Sequence, residues 1–182
     1  MKFRGYDLQV GDAIFTYQNS WLNKRIFWFS KWRVPKKNRK DKIAHVALFI
    51  GGNIPQIAEA DWKGIVIKNL DSYEGKKWTI HAGRPKGLKL TDKKRITLQG
   101  YALGKSGESY AFMQLAAIAV KKIFGLNKIG DWDKDSMICS EFYATAIEQC
   151  FDIDVVPGQE HFEISPLDIY HSKNMRKLKS DS

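Results

Sequence analysis

A chain of 182 residues with 43% hydrophobic and 13% aromatic content can bury a core as one domain, which excludes a disordered or low-complexity polymer. Thirty Lys and Arg against 20 Asp and Glu leave a net charge of +10, which favours anionic partners: nucleic acid, an acidic membrane face or an acidic polymer. The longest apolar run, Phe112 to Val120, is broken by Gln114 and falls far short of the roughly 20 residues of a membrane span.

The first segment, YDLQVGDAIFTY, reads as a turn at Gly11-Asp12 followed by a short strand from Ala13 to Tyr17. Next, SWLNKRIFWFSKWR (20 to 33) has Ser20 placed to cap a helix, with Leu22, Ile26, Phe29 and Arg33 recurring at helical spacing. VPKKNRKDK, residues 34 to 42, is a basic loop. IAHVALFI (43 to 50) is an apolar run of strand length, GGN turns the chain, and QIAEA (56 to 60) returns as a second strand. GIVIKNL (64 to 70) and KWTIHAG (77 to 83) add two more. After Gly107, ESYAFMQLAAIAVKKIF predicts a strong helix ended by Gly125 and Asn127, and a second helix covers about 136 to 150. This order predicts an α+β fold with a mostly antiparallel sheet packed against helices, as one domain over residues 1 to 172. Residues 173 to 182 read as a basic polar tail, frayed from about His171.

Cys139 opens the stretch MICSEFYATAIEQC. With Asp135 or Ser136 as N-cap it lies in the first helical turn, where free N–H groups favour a thiolate and can donate to an oxyanion. Phe142, Ala146 and Cys150 share its face, so a packed structural Cys is the bland alternative. On one helix, Cys139 and Cys150 stand about 16 Å apart, too far for a disulfide. Two free thiols suit a reducing compartment. MKFRGYDLQVGD contains no apolar segment of the secretory kind, so a cytoplasmic location, peripheral at a membrane, is the expectation.

His45 lies in IAHVALFIGGNIPQIAEA. A hairpin centred on Gly52 sets it opposite Glu59, and a centre one residue later sets it opposite Asp61 on the same face. Either carboxylate could fix the imidazole tautomer, and a simple cross-strand ion pair is the bland alternative. A thiol at a helix start, a strand His and a carboxylate beside it are the parts of a nucleophilic site. His161 lacks a strand pattern, His81 lacks a readable acidic neighbour, and His171 lies in the polar tail.

The ordered pieces VGDAIFTY, SWLNKRIFWFS, AHVALFIGG with AEADWKGI, GKSGESYAF and MICSEFYATAIEQ extend over about residues 8 to 150. Together they resemble the circularly permuted branch of the NlpC-type cell-wall peptidase superfamily, the YiiX-like proteins, which share a papain-like fold. The resemblance implies Cys139 as nucleophile, His45 as base and Glu59 as orienting acid. It matches Tyr110 to a tyrosine near the thiol, for which helix packing is the alternative. It also implies hydrolysis or transfer of acyl and amide groups in peptidoglycan peptides, lipids or other peptides, with no cofactor. The basic loop 34 to 42 has no counterpart in that pattern.

GYALGKSGES is not a phosphate loop, because only three residues separate Gly100 from Gly104 and position 99 is Gln. No Cys or His spacing matches a zinc site. The aromatic and basic stretch from Trp21 to Lys42 could rest on an anionic membrane surface or, less favourably, stack nucleic-acid bases. A helix packed by its aromatics, with a solvated loop after it, is the structural alternative. A non-catalytic binding module that uses this face is therefore the runner-up to the enzyme.

Overall fold

The computed structural model describes residues 1–32, 34–61, 64–107 and 138–181. A short ribbon, β1 (Lys2–Phe3) and β2 (Tyr6–Asp7), precedes β3 (Ala13–Gln18) and helix α1 (Trp21–Lys31). Then come β4 (His45–Gly51), β5 (Gln56–Asp61), β6 (Gly64–Asn69) and β7 (Trp78–Pro85). Helices α2 (Asp92–Lys105), α3 (Cys139–Phe151) and α4 (Pro166–His171) follow, and β8 (Met175–Lys177) ends the series. The expected helix after Gly107, and Tyr110 with it, lies outside the described residues.

β3 to β8 form one sheet in the order β6-β5-β4-β3-β7-β8, with every neighbouring pair antiparallel. The sequence dictates this through alternation. Along β4, Val46, Leu48 and Ile50 face a helix-side core with Phe142, Tyr143, Ala146 and Ile147 of α3. Ala47 and Phe49 face the other way, into a second core with Ile14, Ile57, Leu70, Tyr73 and the ribbon residues Phe3 and Tyr6. Each fully buried large side chain contributes about 1.5–3 kcal/mol.

Three details position the site. First, the β4–β5 hairpin pairs Leu48 with Ala58 and Phe49 with Ile57, then shifts register at Gly51 opposite Gln56. Gly51 has φ +76°, and a Cβ there would stand 2.8 Å from a Val10 methyl, so the irregular turn requires glycine. The pairing therefore centres one residue beyond Gly52. Continued along β4, it sets His45 across from Asp61, with Glu59 two pairs nearer the turn and so on the same face. Second, Asp12 of the VGD turn is fully buried. Arg84 Nε and Nη2 donate to its two carboxylate oxygens at 2.7 and 2.8 Å, and the Gln9 N–H donates at 2.8 Å. Burial raises the Asp12 pKa against these stabilising bonds. Third, the Tyr143 hydroxyl donates to the Gly11 carbonyl at 3.0 Å, which ties α3 to the same turn.

The chain end corrects an expectation. Residues 175–177 are not a frayed tail: β8 pairs with β7, Met175 is buried, and the Leu178 N–H donates to the Ala82 carbonyl at 2.9 Å. Met175 supplies the apolar anchor that a purely polar tail would lack, and the open edge of β7 supplies the hydrogen bonds.

Candidate active site

Helix α3 begins later than expected. Ile138, in extended conformation, is its N-cap and Cys139 the first helical residue, and the expected caps Asp135 and Ser136 lie outside the described residues. The first helical bond runs from the Phe142 N–H to the Ile138 carbonyl at 2.9 Å. The N–H groups of Cys139, Ser140 and Glu141 thus have no carbonyl a turn below them within the helix. The Glu141 carboxylate reaches back to the Ile138 N–H at 3.4 Å. Ser140 is fully buried and donates to the Ile164 carbonyl at 2.5 Å, which anchors the helix start and leaves the Cys beside it exposed by only 6%.

His45 opens β4. Its Nε2 lies 2.7 Å from Glu59 Oε2, and the Cys139 thiol is near enough to the ring to act on its charge. With Nε2 held by the carboxylate, Nδ1 is the nitrogen left for the thiol. The imidazole therefore links a Cys from the helix layer to a Glu from the sheet. Burial works against its charged form, but the Cys139 and Glu59 charges and hydrogen bonds outweigh burial and raise its pKa well above the usual histidine range. Burial would raise the Glu59 pKa, and His45, Lys68 and Tyr73 together pull it below the usual carboxylate range.

Glu59 is 3% exposed and fully engaged. Lys68 Nζ donates to its Oε1 at 2.8 Å and to Asp61 Oδ2 at 2.5 Å, and the Tyr73 hydroxyl donates to Oε2. Asp61, the other carboxylate expected near His45, is thereby held by Lys68. Burial and the Glu59 charge raise the Tyr73 pKa, which keeps it a donor. Sequence reasoning missed Lys68 and Tyr73. Lys68 had a signal, since β5 pairs Glu59 with Val66 and alternation sets Lys68 on that face. Tyr73 lies in a one-turn 3₁₀ segment whose position no strand period reports.

The other histidines are employed elsewhere. The His161 ring contacts Thr145 at 3.0 Å and Glu148 at 3.3 Å, farther along α3. His81 packs on Tyr170, with ring centroids 5.4 Å apart, and burial lowers its pKa. His171 Nε2 lies 3.1 Å from Asp41. Both cysteines are free, and burial raises the Cys150 thiol pKa.

Fold and site together define a mixed α+β protein in which an antiparallel sheet brings a His and a Glu together beside a Cys at the start of a helix. Among solved structures the chain is similar to the crystal structure of the metalloprotein yiiX from Escherichia coli O157:H7. The TM-score is 0.65 and the identity 15%, over 95% of this chain and 97% of that chain. At this identity the likeness speaks to the fold, and it agrees with the YiiX-like motif resemblance. No protein-family model and no curated protein matches the sequence.

That neighbour is a metalloprotein, but the donor set around His45 in this chain does not fit a metal ion. The Lys68 ammonium already bridges Glu59 and Asp61, where a divalent cation would have to bind, and His45 with Tyr73 takes the remaining Glu59 oxygen. Among the described residues no group of three or more His, Cys, Asp or Glu is arranged to hold a metal ion.

Proposed function

We propose that the chain is a cysteine-dependent hydrolase or acyltransferase of the circularly permuted, papain-like NlpC type, acting on an amide or acyl ester. What supports this is His45, flanked by Cys139 on one side and by Glu59 at 2.7 Å on the other. His45 takes the Cys139 proton, and the thiolate attacks the substrate carbonyl to give an acyl-enzyme. The imidazolium then donates its proton to the leaving amine or alcohol. Water or an acceptor, deprotonated by His45, releases the acyl group and regenerates the thiol. Glu59 orients the ring and stabilises its charge, while Lys68 and Tyr73 hold Glu59 in place. The N–H groups at the start of α3 are the donors available to the oxyanion. Tyr110 stays a candidate for polarising the carbonyl. Peptidoglycan peptides, lipids and other peptides all present suitable carbonyls, and two free thiols suit a reducing, cytoplasmic compartment.

Alkylation across pH 5 to 9, with the label located by mass spectrometry, tests this reading. Cys139 should label rapidly at pH 6 and more slowly in His45→Ala, while Cys150 should lag in both. Slow Cys139 labelling with an ordinary thiol pH profile would identify a structural Cys. The second reading, a binding module on the same fold, draws on the exposed aromatic face of α1.

A further inference from the structure

Helix α1 carries tryptophan on its solvent side. Trp21 is 70% exposed, Trp28 48% and Trp32, the C-cap, 59%. Large indoles usually find cover in a folded domain. Positions 21, 25, 28 and 32 follow helical spacing, so Arg25 falls in line with the three indoles. Ser30, on the opposite side, is buried and donates to the Ile26 carbonyl. Phe27, edge-on to Tyr17 at 5.9 Å, packs against the helix-side core. The helix is therefore seated by one side and presents a row of indoles on the other.

The charge around this row is one-sided. Residues 20 to 40 contain eight Lys and Arg and no Asp or Glu, so this stretch carries +8 of the chain's net +10. Asp41, the first acidic residue after it, is turned toward His171 and Lys177, at 3.1 and 3.6 Å. Indoles set among cations, on a helix with no acidic neighbour in its own segment, suit the boundary of an anionic bilayer. There the rings enter the headgroup region and the cations meet lipid phosphates.

We propose that α1 and the basic loop after it dock this protein on a membrane surface rich in anionic phospholipid. Base stacking fits less well. Arg25 stands over the Trp21 ring at 5.3 Å and Arg39 over Trp32 at 5.0 Å, while Trp28 meets Trp32 edge-on. The ring faces are thus partly covered by the protein's own cations, and the row lies along a convex helix, not in a groove. α1 joins the end of β3 to the start of β4, where Thr16 pairs with His45. Docking would hold the candidate thiol site near the lipid surface. The proposal does not rest on catalysis by Cys139.

Flotation of the full chain carrying Cys139→Ala, which removes turnover from the measurement, tests it. The protein should float with mixed phosphatidylcholine–phosphatidylglycerol vesicles and not with phosphatidylcholine alone, and salt near 0.5 M should release it. Replacing Trp21, Trp28 and Trp32 by Ser should weaken binding about tenfold or more. The pair Lys24→Glu with Arg25→Glu should do the same through charge alone, which covers the case in which the triple variant fails to fold. Absence of flotation with the anionic vesicles would overturn the proposal, and so would binding unchanged in folded variants. Preferential retention on single-stranded DNA at matched salt would overturn it in favour of nucleic acid.

Discussion

His45 stands between Cys139 and Glu59, and that position fixes a testable titration order. The raised pKa of His45 means that its contribution to stability is fully present below its ordinary value of 6.5 and is lost as pH rises through the raised value. The lowered pKa of Glu59 works in the opposite direction. Its contribution is present above the ordinary 4.5 and is lost as pH falls through the lowered value. The pair is thus at full strength between these ordinary values, and at neutral pH it keeps the Glu59 share and most of the His45 share, because the His45 value is raised to about 10. In an NMR titration of the ring protons, His45 should titrate above 6.5, and His81 and His171, whose values burial lowers, should titrate below it. Cys139→Ala and Glu59→Gln should each move the His45 midpoint down, since each removes a named cause of the rise. A His45 midpoint grouped with His81 and His171 would dissolve the proposed pair.

The edge strand β8 offers the sharpest test at the scale of elements. Met175 is buried against the helix-side core, and β8 fills the open edge of β7. Met175→Ala should destabilise the protein by about 2–5 kcal/mol, a large drop in the thermal midpoint. An unchanged melt would mean a tail that is frayed in solution. β8 escaped sequence reading because KNMRKLK offers one apolar anchor and no alternation, so only the partner strand reveals it. α2 escaped for a related reason. Of its apolar residues only Leu98 and Ala102 are fully buried, Ile96 and Leu103 are exposed, and Gly100 and Gly104 interrupt the pattern. By contrast, β4 to β7 were legible because alternation and glycine turns bound them, and the Ser20 cap was legible because Ser20 Oγ accepts the Asn23 N–H at 3.2 Å. At the site, the proximity of His45 and a carboxylate followed from hairpin parity alone. Which carboxylate it holds did not, because the irregular turn at Gly51 is centred one residue later, which sets Asp61 opposite, and Glu59 reaches the ring diagonally.

At the scale of the whole molecule, the site belongs to neither core alone. Cys139 is part of the helix-side cluster, Tyr73 is part of the cluster on the opposite face, and Glu59 lies beside Ile57 of that second cluster. β4 runs between them and supplies both, Val46, Leu48 and Ile50 to one side and Ala47 and Phe49 to the other. Damage to either core should therefore reach the thiol. Phe49→Ala, on the face away from α3, should cost about 3–5 kcal/mol. In a denaturant titration it should lower together the midpoint for loss of fast Cys139 labelling and the midpoint for exposure of Cys150. Cys150 is the control, because it is buried as a member of the helix-side core and not of the second one. Coincident midpoints in the parent and in Phe49→Ala mean one cooperative unit, with the thiol and its base assembled only when both layers are in place. If fast Cys139 labelling were lost at a lower midpoint while Cys150 stayed protected, the layer carrying Glu59 and Tyr73 would be melting by itself. The geometry around His45 would then depend on that layer alone.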